Sequence, residues 1–159
     1  MTLTLLTGAT LQDVQGEISR LLGIGMRSSC VRRLAEEAEG SVVGIFDFVR
    51  GTFPYAPDPH GMELFISPHR MAEDYYRGRI RSGDCDDLAM IATSMMLSVG
   101  ENSRVALVNT QGLGIDHAIA QVLTPELGWL NVDPASRLPL GWVLRGERVY
   151  VYPGEVSAP

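Results

Sequence analysis

The sequence has only two cysteines and comparatively few basic residues. Cys30 and Cys85 lie far apart among the 159 residues and form neither a CxxC pair nor a disulfide framework. We expect a reducing compartment and at least one free thiol, and a single disulfide between Cys30 and Cys85 is the alternative. The 13 Lys and Arg residues are outnumbered by 19 Asp and Glu residues. This balance argues against a general nucleic-acid binder, which would carry a basic stripe.

Long apolar runs are also missing. No run reaches the roughly 18 apolar residues that indicate a membrane-spanning helix. Residues 1–10 have no basic side chain before their apolar positions, unlike a secretory signal. We therefore expect neither a membrane partner nor a signal peptide. Hydrophobic residues make up 45% and charged residues 20% of the chain, which is typical of a globular protein, and the length suits one domain over residues 1–159.

The first hundred residues carry mostly helical patterns. Apolar positions three and four residues apart predict a helical lead-in over residues 10–80. Its first helix is expected to begin at Thr10 or Asp13 and to reach about Leu22, where Gly23 and Gly25 would end it. Further helices are predicted over residues 28–40, 42–49 and 67–76, and the prolines of residues 52–61 predict a loop.

The strongest helical pattern covers residues 83–99, and Cys85 lies in its first turn, on or beside the face that packs inward. The free N–H groups and the dipole of a helix N-terminus favour a thiolate there, which would activate a nucleophile. The neighbouring carboxylates of Asp84, Asp86 and Asp87 repel that charge. The sequence leaves open which effect is larger.

The last sixty residues have the pattern of strands. Short runs rich in β-branched and aromatic residues, separated by turn signals, predict an antiparallel sheet over residues 103–152. Helices followed by consecutive strands indicate an α+β fold, in which the Cys85 helix packs on a small antiparallel sheet. The predicted strands are Arg104–Asn109, Asp116–Leu123, Gly128–Val132 and Arg148–Tyr152.

Two of these strands bring chemically useful side chains to one face. His117 opens one strand, and Asp133 lies at the end of the next on the matching alternation. If the short connection over residues 124–127 pairs the two strands, His117 lies beside Asp133. A carboxylate beside an imidazole fixes its tautomer and stabilises its cation, so Cys85, His117 and Asp133 form a candidate set of nucleophile, base and orienter.

Each of these residues also has an ordinary structural interpretation. A lone cysteine is usually a small buried hydrophobe, a lone histidine on a strand is usually structural, and an aspartate before proline usually forms a turn. A zinc site is a further alternative, since thiolate, imidazole and carboxylate all bind zinc, although no short ligand pair supports it. Its ligands would be Cys85, Asp86, His117 and Asp133.

The order of these motifs resembles the transglutaminase-like superfamily. Gly83-Asp-Cys-Asp-Asp-Leu-Ala opens a helix, Asp116-His-Ala opens a strand, and Gly128-Trp-Leu-Asn-Val-Asp-Pro ends the next strand. The family pattern has G-x-C at a helix start, a histidine opening a strand, and W-x-x-x-D-P ending the strand that follows. Upstream, Phe46-Asp-Phe-Val-Arg and the Ser67-Pro68 helix resemble the lead-in of small bacterial and tailed-phage members. The resemblance covers roughly residues 28–145.

What the resemblance implies is a papain-like fold and a thiol enzyme. Cys85 would be the nucleophile, His117 the general base and then acid, and Asp133 the orienter, in acyl transfer from an amide. We expect a cysteine peptidase or amidase that acts on a peptide or protein amide, with no cofactor and no metal. The alternative is a non-catalytic binding or assembly module that keeps the fold, for example in a phage particle.

The resemblance leaves two parts of the site open. The oxyanion would be held by the Cys85 backbone N–H and by a second donor upstream, for which Tyr75, Tyr76 and Arg81 are candidates. Ala118 stands where many members have an aromatic residue, and no motif identifies the substrate-binding residues. We expect a bacterial cytoplasmic protein, or a virion-associated one with other virion proteins as partners if a phage encodes it.

Overall fold

A computed structural model describes residues 9–59 and 61–154, together with the backbone of residues 3–7. The described chain is a mixed α+β structure, as predicted, and α5 is its central helix. The helices are α1 (Leu11–Met26), α2 (Ser29–Glu37), α3 (Val42–Thr52), α4 (Pro68–Tyr76) and α5 (Cys85–Ser98). The strands are β1 (Leu3–Thr7), β2 (Met62–Ile66), β3 (Ser103–Asn109), β4 (His117–Thr124), β5 (Gly128–Val132) and β6 (Glu147–Val151).

The helices begin where short polar side chains cap them. Thr10 and Asp13 form a capping box, in which the Asp13 N–H donates to Thr10 Oγ1 over 3.1 Å and the Thr10 N–H donates to Asp13 Oδ2 over 3.0 Å. Ser28, Ser41 and Ser67 each accept a hydrogen bond from a backbone N–H three residues on. These contacts satisfy donors that a helix cannot pair internally.

The first helix does not end at its glycines. It runs through Gly23 and Gly25 to Met26, so the predicted end at Leu22 is wrong. A Cβ built on Gly25 would lie 2.5 Å from Ser94 Oγ and 3.0 Å from the Cβ of Pro68. The absence of a side chain at Gly25 therefore allows α1 to pack closely on α5 and α4. The third helix also continues three residues past its predicted end, to Thr52.

The four C-terminal strands form one antiparallel sheet in the order β5-β4-β3-β6. The register pairs Val105 with Ala120, Leu107 with Val149, and Ala120 with Val132. The inward side chains of this sheet pack on α5, whose residues Leu88–Met96 are buried throughout. The outward apolar residues form a small separate cluster of Ala106, Val108, Ile119 and the partly buried Leu144.

A second, two-stranded sheet was not predicted. The strands β1 and β2 pair antiparallel, with Leu5 opposite Leu64. Both strands are short apolar stretches without a clear alternation, and their pairing joins the N-terminal segment to the far side of the proline-rich loop. Among the described residues, no helix is both long enough and apolar enough to span a membrane.

Candidate active site

The cysteine of the predicted site opens the central helix. Asp84 caps α5, and its Oδ1 accepts the backbone N–H groups of Asp86 over 3.1 Å and of Asp87 over 3.2 Å. The Asp84 N–H donates in turn to Asp87 Oδ2 over 3.2 Å. Cys85 is the first residue of the helix that this capping box begins. Its partly buried side chain packs against the group of buried apolar residues between α5 and the four-stranded sheet that includes Ala118. Both cysteines are free thiols.

The histidine and the aspartate of the predicted site are hydrogen-bonded partners. His117 is the first residue of β4, and Asp133 directly follows β5. His117 Nε2 lies 2.8 Å from Asp133 Oδ2, and the two side chains are 22% and 9% exposed. The strand alternation predicts this proximity, because β4 and β5 pair in the expected hairpin. The hydrogen bond occupies Nε2 and leaves Nδ1 as the other nitrogen of the ring.

Cys85 and His117 line the same cleft, which has a volume of about 800 Å³. The start of α1 forms one wall, through Leu11 and Val14, and the ends of β3 and β6 form another, through Leu107 and Val149. Acidic side chains also line the cleft, and Arg148 is the single arginine that the described residues contribute to the lining. Sequence reasoning identified no substrate-binding residue, because this wall joins segments that are distant in the chain.

The thiol of Cys85 faces a carboxylate in this structure. Cys85 Sγ lies 3.9 Å from Asp86 Oδ1, and among the described residues no hydrogen bond joins this sulfur to the His117 ring. Burial raises the pKa of the Cys85 thiol, and the charges of Asp86 and Asp84 raise it further, whereas the backbone N–H of Ala118 lowers it. Burial and neighbouring negative charge therefore favour the neutral thiol of Cys85 in this arrangement.

The pKa of His117 is raised, which makes its imidazole a stronger base. The hydrogen bond to Asp133 raises the pKa of His117, burial lowers it, and the charges of Asp133 and Asp116 raise it again, so that the net change is upward. Asp116 is itself fixed, because its Oδ1 accepts the Thr110 N–H over 2.8 Å. The imidazolium form of His117 is therefore stabilised at the cleft.

Carboxylates from three parts of the chain converge beside Cys85. Oxygen atoms of Asp58, Asp84 and Asp87 lie within 4.8 Å of one another, and so do those of Glu63, Asp84 and Asp86. Burial and mutual repulsion raise the pKa of Asp84 to about 7 and that of Asp87 to about 9, and they also raise the pKa of Asp86. Oxygen ligands of this kind suit hard divalent cations. The sequence did not predict that Asp58 and Glu63 lie near Asp84, because α4 and more than one loop separate them along the chain.

Other candidates from the sequence lie elsewhere. Arg81 is engaged by the buried Asp74, with Nε 2.6 Å from Oδ2. The rings of Tyr75 and Tyr76 pack edge to face with centroids 5.3 Å apart, and Tyr75 also packs on Phe48. None of the three upstream candidates for an oxyanion donor lines the cleft. The four residues considered as zinc ligands, Cys85, Asp86, His117 and Asp133, do not form a group of closely spaced ligand atoms in the described part of the chain.

The chain is similar to a candidate cysteine protease from Cytophaga hutchinsonii, with 14% identity and a TM-score of 0.49 over 94% of this chain and 60% of that one. It is also similar to EGTA-treated LapG from Legionella pneumophila, with 20% identity and a TM-score of 0.48 over 77% of this chain and 71% of that one. The chain thus spans less than two thirds of the length of the Cytophaga protein.

No curated protein matches the chain. The family model of the transglutaminase-like superfamily matches residues 28–134, which is more than half of the sequence and includes Cys85, His117 and Asp133. The chain therefore belongs to the transglutaminase-like superfamily.

Proposed function

We propose that the protein is a thiol-dependent acyl-transfer enzyme that uses Cys85 as nucleophile, His117 as general base and acid, and Asp133 as orienter. The observation that carries the proposal is the 2.8 Å hydrogen bond between His117 and Asp133 at a cleft that Cys85 also lines. A helix-terminal thiol, an imidazole and a buried carboxylate are the three groups of a Cys-His-Asp site. Family membership makes this chemistry the expected one for the fold.

The proposed reaction proceeds through a thioester on Cys85. His117 Nδ1 takes the proton of the Cys85 thiol, and the sulfur attacks the carbonyl carbon of the substrate amide. The Cys85 backbone N–H, which the first turn of α5 does not pair within the helix, donates to the resulting oxyanion. The tetrahedral intermediate collapses when His117 returns the proton to the leaving amine, and a thioester remains on Cys85. His117 then removes a proton from water, whose oxygen attacks the thioester. The proton passes from His117 to the departing Cys85 sulfur, so that the carboxylic acid and the free thiol are released.

With water as the acceptor, the enzyme is a cysteine peptidase or amidase, and its partner is a peptide or protein amide. The cleft of about 800 Å³ has the size of a site for a small molecule or a peptide segment. Its lining is apolar along Leu11, Val14 and Val149 and also includes acidic side chains. We place the protein in a bacterial cytoplasm, or on a virion if a phage encodes it.

A second candidate function rests on a specific observation. The pKa of Cys85 is raised by burial and by Asp86 and Asp84, and its thiol faces Asp86. A non-catalytic binding or assembly module would tolerate this arrangement, since it needs no thiolate. The two candidates differ in whether His117 can accept the Cys85 proton.

The state of the thiol decides between them. The wild-type protein and the His117→Ala variant are alkylated with iodoacetamide from pH 5 to pH 10, and modification of each cysteine is followed by peptide mass mapping. Cys30, which is also a free, partly buried thiol, is the internal control. The proposal predicts that Cys85 reacts at pH 6 to 7 much faster than Cys30 and that His117→Ala removes this reactivity. Equal rates for the two cysteines, or an inert Cys85 at every pH, would instead support the module.

A further inference from the structure

An arginine on α3 reaches the segment that carries Asp133. Arg50 lies in the last turn of α3, and its Nη2 donates to the Asp133 carbonyl over 2.9 Å and to the Leu138 carbonyl over 2.5 Å. One guanidinium nitrogen therefore joins both ends of the segment 133–138 to the helical layer. Its Cζ also lies 4.1 Å from the centre of the Phe46 ring, which holds the side chain against α3.

The carboxylate of Asp133 has few restraints of its own. Its Oδ2 is bonded to His117, but its Oδ1 is buried and has no hydrogen-bond partner in the described part of the chain. Pro134 follows Asp133 and has no N–H to donate, so the sheet ladder ends there. The direction of the carboxylate consequently depends on where the backbone of residue 133 is held. Arg50 supplies that restraint from outside the sheet.

We propose that Arg50 is a positioning residue, which keeps the Asp133 carboxylate against His117 by fixing the backbone at both ends of the segment 133–138. The inference rests on the proposed function for its effect on the reaction, although the positioning itself concerns only Arg50, Asp133 and His117. A carboxylate displaced by about 1 Å would weaken its charge-assisted hydrogen bond and leave the imidazole free to turn. Removal of the Arg50 donors should therefore change the pKa of His117, although no hydrogen bond joins Arg50 to His117 in the described structure.

The experiment compares Arg50→Met with Arg33→Met as a matched control. Arg33 is also a helical arginine over an aromatic ring, with its Cζ 4.0 Å from the centre of the Tyr76 ring, and its ion-pair partner is Glu37 rather than any group near Asp133. The pKa of His117 is measured by NMR titration of its ring, and the acylation of Cys85 is followed with p-nitrophenyl acetate. The melting temperature Tm of each variant reports stability separately.

We expect Arg50→Met to lower the pKa of His117 towards that of a free imidazole and to slow acylation at pH 7 at least tenfold, whereas Arg33→Met changes neither. A variant that loses Tm but keeps both the titration of His117 and the acylation rate overturns the proposal, because Arg50 is then only structural. If Arg50→Met does not fold, Arg50→Gln replaces it, because its amide is too short to reach both carbonyls. The same changes in the pKa of His117 and in the acylation rate are expected for Arg50→Gln.

The two hypotheses fail differently in this experiment. A wild-type protein that p-nitrophenyl acetate does not acylate at Cys85 contradicts the proposed function, whatever Arg50 does. The titration of His117 still decides on Arg50 in that case, because it requires no reaction. Unchanged titration in Arg50→Met with normal acylation of the wild type contradicts the positioning role alone.

Discussion

The thiol of Cys85 points to the carboxylate of its neighbour Asp86, with Sγ and Oδ1 3.9 Å apart. Both side chains stand at the first turn of α5, where the helix N-terminus favours negative charge. Burial and the neighbouring carboxylates raise the pKa of Asp86 as well, and an ionised Asp86 opposes ionisation of the thiol. The charge of Asp86 therefore contributes to the raised pKa of Cys85.

Removal of this charge should make Cys85 more reactive. We expect Asp86→Asn to lower the pKa of Cys85 and to raise its alkylation rate at every pH at which Asp86 is ionised in the wild type. Thiolate nucleophilicity falls as the pKa falls, so the net gain is about threefold for each pKa unit lost. Glu126→Gln, at an exposed site in the connection between β4 and β5, is the control and should leave the rate unchanged. An Asp86→Asn protein that reacts no faster than the wild type at any pH would show that the Asp86 charge does not raise the pKa of Cys85.

The pair of His117 and Asp133 predicts a pH-dependent stability. Because the pKa of His117 is raised in the folded protein, the pair stabilises the fold fully below the unfolded pKa of about 6.5, and this contribution is lost as the pH rises through the folded pKa. We expect Asp133→Asn to lower the free energy of unfolding most at about pH 6 and progressively less towards pH 9. Urea unfolding at several pH values measures the difference.

The exposed Asp47 on α3 provides the control for this experiment. An Asp47→Asn variant should show no comparable loss of stability that depends on the titration of His117. A difference between the wild type and Asp133→Asn that stays constant from pH 6 to pH 9 would contradict the linkage.

Loss of the sulfur should end the reaction without unfolding the protein. We expect Cys85→Ala to abolish acylation by p-nitrophenyl acetate while its Tm stays within a few degrees of the wild type, since the change removes one small, partly buried atom. Cys30→Ala is the matched variant and should keep full acylation. Stoichiometric release of p-nitrophenolate by the Cys85→Ala protein would place the nucleophile elsewhere.

Two glycines of α1 should respond to alanine in opposite directions. A Cβ on Gly25 would meet Ser94 Oγ at 2.5 Å, so Gly25→Ala should overpack the contact between α1 and α5 and cost about 1–3 kcal/mol. Gly16 lies on the exposed side of the same helix, and a Cβ added there would have no described atom within 4 Å, so Gly16→Ala should stabilise the protein by about 0.5–1 kcal/mol. Urea unfolding measures both, and a Gly25→Ala protein as stable as the wild type would contradict this packing.

The sequence was informative where local pattern and tertiary environment agree. The apolar spacing predicted a helix over residues 83–99 with Cys85 in its first turn, and α5 begins at Cys85. Alternation along β4 and β5 predicted His117 next to Asp133. Both features depend on residues that are close in the chain or joined by one short hairpin. The α+β architecture follows from the same local patterns.

The features that the sequence did not reveal depend on distant contacts. Gly25 is helical because α5 approaches it closely, whereas an isolated helix would be expected to end there. The pairing of β1 with β2, the approach of Asp58 and Glu63 to Asp84, and the reach of Arg50 to Asp133 all join separate segments. No spacing rule along one segment could have found them.

The walls of the cleft come from opposite parts of the described chain, since α1 contributes Leu11 and β6 contributes Val149. During translation, Cys85, His117 and Asp133 leave the ribosome before Glu147–Val151, and at about 5–20 residues per second the interval is of the order of one second. A nascent chain at that point lacks the strand that pairs with β3 and completes the wall. Newly made protein therefore acquires a complete cleft only after β6 has emerged and paired with β3, which follows the synthesis of Cys85, His117 and Asp133.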